Sequence, residues 1–449
     1  MTFLPDFDHA SFKTGAAINN QFFPLSSGTV MVYTGVETAT GEDVEADDVF
    51  VTSLSRTLAG VQALVVRDTV YDDGLLVEDT LDYYAQDTRG NVWYLGETVI
   101  NYEYDDNGKF IGTNNDGAWL AGVDGAKPGW IMPAKPTLGF SFFNEFAPGI
   151  AMDESRIDAL KLHIATDFGQ FTTLKTADSS QLEPGVLEFK YYAPGVGIVR
   201  EEEELDAQGV PGVVIDLSQV LHTGASHIPR GTEVASTSDF VSDGNTKYVT
   251  IVSENSEFDD SLGYYTFNPA TGVIGEARII FNGSVGDAGD TIAIDVPSGV
   301  GVGFFLVADS SELGLDLSKF DGGGLYFENM LTGQAARITD GMAPIVTDKH
   351  GDPLPISAFH LLGATSGSDL LNPGTGVQGA EWDLGKNDPE SLVLVGFEDH
   401  RLTDGDYDGD FNDLMLVFGD TPVNPADYSG IGSELSVHLL GGSAIHELA

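Results

Sequence analysis

The chain has no cysteine and few basic residues for its length. Without cysteine, disulfide bonds and thiolate metal sites are both excluded. The 449 residues carry 20 Lys and Arg against 70 Asp and Glu, which gives a formal net charge of −50. A surface this acidic attracts cations and repels nucleic acid and anionic lipid, so we expect neither of the latter as a partner.

The sequence also lacks long apolar runs and an N-terminal leader pattern. No stretch reaches the roughly 18 apolar residues of a membrane-spanning helix, so we expect no membrane insertion. The N-terminus, MTFLPDFDHASFKTGAAINNQFFPL, has neither the basic start nor the apolar core of a secretory signal peptide.

What is present favours a folded all-β protein. The hydrophobic share of 42% excludes wholesale disorder despite the charge. The 55 Gly and 19 Pro suit many tight turns between strands. The length allows two or three domains, each with its own core.

The region 28–115 is typical of successive hairpins. Apolar runs separated by turn residues predict strands at 29–35, 48–57, 60–71, 75–86, 91–104 and 109–113. In the fifth run, alternation predicts one shared face for Val92, Tyr94, Thr98, Ile100, Tyr102 and Tyr104. Such a meander must bury one side, so we expect a curled antiparallel sheet or half-barrel.

Two further segments extend this region. Residues 116–152 indicate a covering loop, in which Trp119 and Trp130 either roof a ligand pocket or plug the open face of the half-barrel. We favour the plug because large aromatic side chains are usually buried. Strands are predicted again near 157–175 and 186–204, where Glu201 to Glu204 would keep an edge strand soluble.

Three segments resemble an uncharacterised domain of secreted or periplasmic bacterial proteins. They are VVRDTVYDDGLLVEDTLDYYAQDTRGNVWYLGE, AGVDGAKPGWIMPA and YYAPGVGIV. The resemblance implies a domain over residues 15–205 and brings no activity with it. Residues 206–239 follow as a linker of weak pattern.

The segment 396–418, GFEDHRLTDGDYDGDFNDLMLVF, has the pattern of a calcium loop. It places Asp404, Asp406, Asp408 and Asp410 at alternate positions, with Asn412 and Asp413 after them. Calcium takes six to eight oxygen ligands at about 2.3–2.6 Å, which short side chains in a tight glycine-containing loop can supply. Without a cation, so many neighbouring carboxylates would repel one another, so we expect calcium as the cofactor.

The loop starts like an EF-hand and then departs from it. Its first half matches the EF-hand pattern at Asp404, Asp406, Asp408 and Gly409. Met415, however, stands where an EF-hand has a bidentate Glu. The flanks 392–397 and 414–418 have strand patterns, so we expect a loop that joins two strands. The alternative is an acidic hairpin solvated by water.

The side chains of this motif have predicted roles. The four alternate aspartates supply carboxylate oxygens, and Asn412 gives a neutral oxygen. Asp413, just before the second strand, is the best candidate for the closing ligand. Glu398 and Asp399 end the preceding strand and are expected to meet the loop from across the hairpin.

Two phenylalanines within the motif and one aspartate outside it also have expected roles. Phe397 and Phe411 are expected to pack beneath the loop as apolar supports rather than to touch the ion. Asp309, at the end of the apolar run 301–309, is a further candidate ligand. Its alternative is an exposed surface position.

Two segments and the motif at 396–418 resemble the domain-of-unknown-function 4114 family of secreted bacterial proteins. The two segments are SLGYYTFNPATGVIGEARIIFNGS and GVGFFLVAD. The hallmark of that family, GFED followed by D-x-DFND, is matched at 396–399 and 408–413. The resemblance covers residues 240–420 and implies a jelly-roll-like β-sandwich that binds calcium, not a reaction. The Asp-rich insertion is longer than in the family pattern, which leaves the number of ions open.

Calcium sites of this kind suit the outside of a cell, because cytosolic calcium is too low to fill weak sites. An acidic, cysteine-free chain without an N-terminal signal is similar to bacterial proteins exported by type I secretion, whose address lies at the C-terminus. The tail 421–449 is the candidate for that signal. The alternative location is the cytoplasm of a halophile, where acidic surfaces are also selected.

The sequence therefore predicts an exported calcium-binding structural or adhesive β-protein of the cell surface or extracellular matrix, with calcium ions and other surface components as partners. No catalytic residue is assigned. Two alternatives stay open: a secreted hydrolase of polysaccharide or lipid with a pocket in the N-terminal domain, and a carrier of an apolar ligand. A cleft holding a carboxylate pair of perturbed pKa would favour the hydrolase, and a filled barrel would count against it.

Overall fold

A computed structural model of the protein describes residues 2–222, 240–256, 258–283, 286–361, 368–376, 378–383, 392–401, 403, 407, 409 and 411–428. Strands dominate these residues, and the helical segments among them are short 3-10 turns at Phe7–His9, Leu317–Phe320, Ser368–Leu371, Pro373–Thr375 and Pro425–Asp427. The predicted all-β class is therefore confirmed. Within the described ranges, no helix is both long and apolar enough to cross a lipid bilayer.

The chain divides into two compact units. The first comprises Met1–Glu103 and Thr113–His222, and the second comprises Tyr104–Gly112 and Thr223–Ala449. The strands up to residue 222 are β1 (Ile18–Asn19), β2 (Pro24–Leu25), β3 (Thr29–Glu37), β4 (Asp43–Leu58), β5 (Val61–Asp72), β6 (Leu75–Gln86), β7 (Val92–Tyr104), β8 (Phe110–Asn114), β9 (Trp119–Leu120), β10 (Lys127–Met132), β11 (Ser141–Phe143), β12 (Glu145–Phe146), β13 (Asp153–Thr166), β14 (Gly169–Ser180), β15 (Glu188–Ala193), β16 (Gly197–Glu203) and β17 (Val213–His222).

One long sheet organises the first unit. Its strands follow the order β11-β13-β14-β15-β16-β17-β3-β4-β5-β6-β7-β10-β12, with β8 and β9 also paired to β7. The hairpins are antiparallel and are joined by tight turns, such as Asp73-Gly74, where both residues have positive φ. Side chains from β3 to β7 and from β14 to β16 line one common cavity, so the sheet curls around it as the predicted half-barrel.

The predicted linker at 206–239 is wrong in its middle part. Val213–His222 forms β17, which pairs with β16 on one side and with β3 on the other. The strand therefore joins the two ends of the meander, and the first unit continues to His222. Residues 223–239 lie outside the described residues.

The prediction of an edge strand at Glu201–Glu204 is also wrong. Strand β16 is internal, because β15 and β17 flank it. Glu201 forms an ion pair with Lys190 on β15, with Nζ and Oε2 2.6 Å apart, and Tyr191 donates its hydroxyl to Glu202 over 2.8 Å. These partners on a neighbouring strand, which the local sequence does not reveal, make carboxylates acceptable inside a sheet.

The prediction that alternate residues of β7 share one face fails at Gly96, where the side-chain alternation is interrupted. Asp82 pairs with Glu97 and Tyr84 pairs with Tyr94, so β7 carries one extra residue, a β-bulge. Tyr94 and Glu97 consequently point to the same side, and the Tyr94 hydroxyl donates to the Glu97 carboxylate over 2.9 Å. An extra residue reverses the side-chain alternation beyond it, which a period-two pattern cannot anticipate.

Gly96 itself provides a stability prediction. It has φ of +128°, and a Cβ there would lie 2.3 Å from the Trp119 carbonyl oxygen, because β9 passes directly alongside. Gly96→Ala should therefore lower the free energy of unfolding by about 1–3 kcal/mol or more. Chemical denaturation measures the loss.

A matched control is Gly112→Ala, which also has positive φ but no atom within 4 Å of the added Cβ. It carries the backbone strain without the collision. Equal losses in the two variants would contradict the steric explanation for Gly96.

The strands after residue 222 build the second unit. They are β18 (Lys247–Glu254), β19 (Ser261–Phe267), β20 (Ile274–Phe281), β21 (Thr291–Ile294), β22 (Gly301–Val307), β23 (Leu325–Asn329), β24 (Gln334–Ala335), β25 (Ile345–Asp348), β26 (Pro353–Leu354), β27 (Phe359–Leu361), β28 (Gly379–Asp383), β29 (Val393–Phe397) and β30 (Leu414–Gly419).

These strands form two sheets that face each other. One has the order β21-β18-β30-β29-β28, and the other has the order β26-β25-β23-β20-β19-β22-β27 with β24 beside β23. A shared core takes inward side chains from both sheets, including Ile251 and Leu416 from the first and Phe304 and Leu306 from the second. The second unit is thus a β-sandwich, with β29 and β30 central in its first sheet.

Candidate functional site

The last hairpin brings the ends of the acidic motif together. Strands β29 and β30 pair antiparallel with Phe397 opposite Leu414, so Glu398 and Asp413 leave the sheet side by side. Both strands are buried along their length, because each is an unbroken apolar run in a central position. The predicted strand–loop–strand arrangement, rather than a helix pair, is what the structure has.

Glu398 is tied to the loop that returns toward β30. It is 1% exposed, and its Oε1 accepts the backbone N–H of Phe411 over 2.5 Å. Its own backbone N–H donates to the carbonyl oxygen of Gln378 over 3.0 Å. These contacts hold the carboxylate at the base of the acidic loop.

Asp399 connects the hairpin to the segment between β18 and β19. Its backbone N–H donates to Oδ2 of Asp413 over 3.0 Å, and its own Oδ2 accepts the Ser256 hydroxyl over 2.6 Å. Nε2 of His400 lies 3.8 Å from Oδ1 of Asp399. Asp399 is 4% exposed, so this carboxyl group is nearly removed from water.

The carboxylates on the other side of the hairpin repel the charged form of Asp413. Burial, together with the charges of Glu398 and Asp399, raises the pKa of Asp413 to about 8. A carboxyl group with such a pKa indicates an environment that is short of positive charge. A bound cation would supply it.

Asp260, just before β19, is a buried acid that sequence analysis missed. It is fully buried, its Oδ1 accepts the backbone N–H of Asp309 over 3.0 Å, and its Oδ2 has no hydrogen-bond partner. Burial raises the pKa of Asp260 to about 7, and the charge of Asp399 adds to the effect. Asp260 is distant from the motif in sequence, and no local spacing marks it.

Asn412 lies at the end of the hairpin, and its side-chain oxygen already accepts a hydrogen bond. Its Oδ1 and its carbonyl oxygen both accept from the Asn255 side-chain amide, over 3.1 and 3.0 Å. The Asn255 backbone N–H donates to the Asp413 carbonyl oxygen over 2.8 Å. This anchors the second half of the motif to the strand β18 next to it.

The two phenylalanines of the motif are buried, as expected for apolar supports. Phe397 is fully buried in the core between the sheets, and Phe411 packs with Leu394 and Met415 on the opposite face of the hairpin. Phe411 has φ of +55° and Gly409 has φ of +71°, so the chain turns sharply on its way back to β30.

Four predicted ligands, Asp404, Asp406, Asp408 and Asp410, lie outside the described residues, as does the tail beyond Tyr428. Glu398, Asp399, Asn412 and Asp413 are described and are brought to one end of the hairpin.

Among the described residues, no three His, Cys, Asp or Glu are already arranged to hold a metal ion. The donor set that is present, carboxylate and amide oxygens, fits a hard cation such as calcium.

A second feature lies in the first unit. A cavity of about 390 Å³ occupies the inside of the curled sheet, and ten acidic side chains line it with one lysine. Asp47 and Asp68 hydrogen-bond to each other there, and burial is the main cause that raises both pKa values, that of Asp68 to about 6. The half-barrel is therefore not filled, and the carboxylate pair named as the sign of a hydrolase is present.

The predicted covering loop is wrong at its two tryptophans, because Trp119 lies on β9 and Trp130 on β10, both paired with β7; neither ring lines this cavity. Trp119 is 4% exposed, and its ring lies 5.6 Å from that of Tyr94. Trp130 packs against the rings of Phe3, Trp93, Phe140 and Phe142. Both rings contribute to packing, and neither roofs nor fills the cavity.

No protein-family model matches the chain. No curated protein matches it either. Among solved structures, the chain is similar to a Bacteroides fragilis protein inferred to be exported and to have a YmcC-like fold, at 15% identity over 46% of this chain and 100% of that one, with a TM-score of 0.30. An inferred lipoprotein of Parabacteroides distasonis is 18% identical over 45% of this chain and 99% of its own, with a TM-score of 0.26. Likenesses this weak support no argument about function or location.

Proposed function

We propose that the protein is an exported, calcium-binding structural or adhesive protein of the cell surface or extracellular matrix, and that calcium closes the end of its last hairpin. The observation that carries the proposal is the gathering of Glu398, Asp399 and Asp413 at that end, with Asp260 buried behind them. The resemblance to the domain-of-unknown-function 4114 family agrees with it. We propose membership of that family on the same grounds.

The role of the ion follows from electrostatics. Carboxylates that are buried close together destabilise the folded state unless they are protonated or paired with a cation. Calcium would supply that charge, with Glu398, Asp399 and Asp413 as ligands and the aspartates of 404–410 completing the shell. Because calcium would bind the folded chain and not the unfolded chain, binding would stabilise the folded state. Export would expose the chain to millimolar calcium.

The first test is thermal unfolding in calcium against chelator. At free calcium 100-fold above the dissociation constant, the stabilisation is about 2.7 kcal/mol, which appears as a higher melting temperature. Magnesium chloride and potassium chloride at matched ionic strength are the controls, because any salt screens a charge of −50. Equal midpoints with calcium and with these salts would contradict a specific site and favour a halophile's general need for salt.

Asp413→Asn sharpens this test. Because the raised pKa keeps Asp413 largely protonated near neutral pH, the neutral amide should leave stability in chelator nearly unchanged while the calcium response is lost. Asp427→Asn makes the same Asp-to-Asn replacement at an exposed position after β30 and should keep the full response. The proposal fails if both variants respond alike.

Metal analysis by mass spectrometry counts the ions. After equilibrium dialysis against millimolar calcium, the intact chain should hold more calcium than the dialysis buffer alone, and Asp410→Ala and Asp413→Ala should each lower this excess. Metal content that is the same in all three proteins would remove Asp410 and Asp413 from the ligand set.

The cavity of the first unit favours a second candidate function, a secreted hydrolase. Its supporting observation is the hydrogen-bonded pair Asp47 and Asp68, in which Asp47 would hold a proton and Asp68 would act as base. Turnover of a panel of aryl glycosides and aryl esters, abolished in Asp68→Asn, would support this function. A panel without turnover leaves the structural role as the proposal.

A further inference from the structure

The cavity of the first unit has a charge imbalance that its own residues do not resolve. Of its lining side chains, ten are acidic and Lys190 is the basic one. Lys190 is already engaged, because its Nζ lies 2.6 Å from Oε2 of Glu201. The remaining carboxyl groups therefore share a low-dielectric space with no free cation among the residues that line it.

Hydrogen bonding inside the cavity shows the same shortage of donors. The Tyr94 hydroxyl lies 2.6 Å from Oδ1 of Asp82 and 2.9 Å from Oε2 of Glu97, although it has a single proton to donate. Oδ1 of Asp47, Oδ1 of Asp68 and Oδ1 of Asp178 are shielded from solvent and have no hydrogen-bond partner. Unpaired buried oxygens of this kind destabilise a protein unless a ligand or a proton satisfies them.

The rest of the lining is aromatic and aliphatic. Tyr33, Tyr84, Tyr94 and Tyr192 are all buried around the cavity, and the rings of Tyr84 and Tyr94 stack at 5.1 Å. Aromatic faces attract organic cations, and side chains such as Met31 and Val66 offer apolar contact to a hydrocarbon stem. A hydrated metal ion is bound by oxygen ligands and gains nothing from aromatic and aliphatic surfaces.

We propose that this cavity binds a small organic cation with primary ammonium groups on an aliphatic stem, held by Asp82 and Glu97 and by the surrounding tyrosine rings. An ammonium group brings three N–H donors, the kind of partner that the lining oxygens lack. The volume of about 390 Å³ lies in the range of small-molecule sites. This inference concerns the first unit alone and is independent of calcium binding in the second, and of whether the ligand is hydrolysed.

Isothermal titration calorimetry of the full chain tests the proposal, with spermidine and cadaverine as probes. Saturable binding of one molecule per chain is expected, and potassium chloride at matched ionic strength should give no such isotherm. Absence of saturable binding by either probe would overturn the proposal. So would calcium saturating the same site with the same dependence on the variants below, since the cavity would then be a metal site.

Because the whole surface is acidic, matched variants separate the cavity from the surface. The cavity variant Asp82→Asn/Glu97→Gln and the surface variant Asp8→Asn/Glu42→Gln each replace one Asp and one Glu by the matching neutral amide, and Asp8 and Glu42 are exposed. The cavity variant should bind at least about tenfold more weakly, as expected for lost charge-assisted hydrogen bonds, and the surface variant should bind as the wild type does. Equal weakening in both would mean surface attraction only and would refute the site.

A third variant keeps the test decisive if the cavity variant does not fold. Met31 is buried and lines the cavity, so Met31→Lys would place a tethered ammonium group among the carboxylates. That variant should fold and should lose spermidine binding, because its own lysine occupies the site. A folded Met31→Lys protein with wild-type affinity would contradict the proposal, and if it too fails to fold, the wild-type titration decides.

Discussion

Phe397→Ala is expected to lower the free energy of unfolding of the second unit by about 3–5 kcal/mol. Phe397 is fully buried in the core between the two sheets, among side chains such as Leu361 and Leu414. Its removal would leave a cavity that neighbouring strands can only partly close. Because Glu398 and Asp399 follow it directly, the loss should also displace the carboxylates at the hairpin end.

Hydrogen exchange of peptides from β29 and β30, combined with urea denaturation, measures this loss in the second unit. Phe397→Leu keeps most of the buried volume and should cost clearly less. Tyr326→Ala removes an aromatic side chain that is 37% exposed and serves as the surface control. If Phe397→Ala unfolds at the same urea concentration as Tyr326→Ala, the assignment of Phe397 as the support of the hairpin is wrong.

The first unit is expected to lose stability as the pH rises from about 5 to 8. Burial is the main cause that raises the pKa of Glu97 to about 7, with Glu78, Asp153 and Asp68 acting in the same direction and the Tyr94 hydroxyl opposing them. Burial likewise raises the pKa of Asp68 and of Asp178, each to about 6. An acid whose pKa is higher in the folded than in the unfolded chain favours folding while protonated, and this advantage is lost as the pH passes its folded pKa.

The window for Glu97 therefore runs from its ordinary value of 4.5 to about 7. One pKa unit corresponds to about 1.4 kcal/mol, so this group alone contributes at most about 3.5 kcal/mol. Glu97→Gln should raise the melting temperature of the first unit at pH 8 and flatten its dependence on pH. Hydrogen exchange of β6 and β7 peptides assigns the effect to this unit.

Titration of the whole acidic surface also contributes to any pH effect, so a charge-matched control is needed. Glu42→Gln removes the same charge at an exposed position and should leave the pH dependence as it is in the wild type. The assignment to Glu97 would be wrong if Glu42→Gln flattened the curve equally.

The strands were largely predictable because their cause is local. The runs at 75–86 and 91–104 are rich in apolar and aromatic residues and are separated by turn residues, and the structure has strands at Leu75–Gln86 and Val92–Tyr104. The hairpin around the acidic motif was predictable for the same reason, since 392–397 and 414–418 are short apolar runs. The structure has β29 and β30 there.

The errors arose where a distant strand decides the outcome. The strongly charged run of four glutamates predicts an edge strand, yet Lys190 on the next strand neutralises Glu201 inside the sheet. The weak pattern of residues 213–222 predicts a linker, yet these residues pair with β3, which is far away in sequence. Pairing partners of this kind are a property of topology and leave no trace in local spacing.

The sequence by itself determined the all-β class, the strong negative charge, the absence of thiolate ligands and the acidic hairpin, because composition and short-range periodicity act within a few residues. Only the tertiary structure decided which carboxyl groups meet. It buries Asp260 behind Asp399, and it curls a sheet so that Asp47, Asp82 and Glu97 line one cavity. Burial and proximity across strands control the charge state of an acid, and both exist only once the chain has folded.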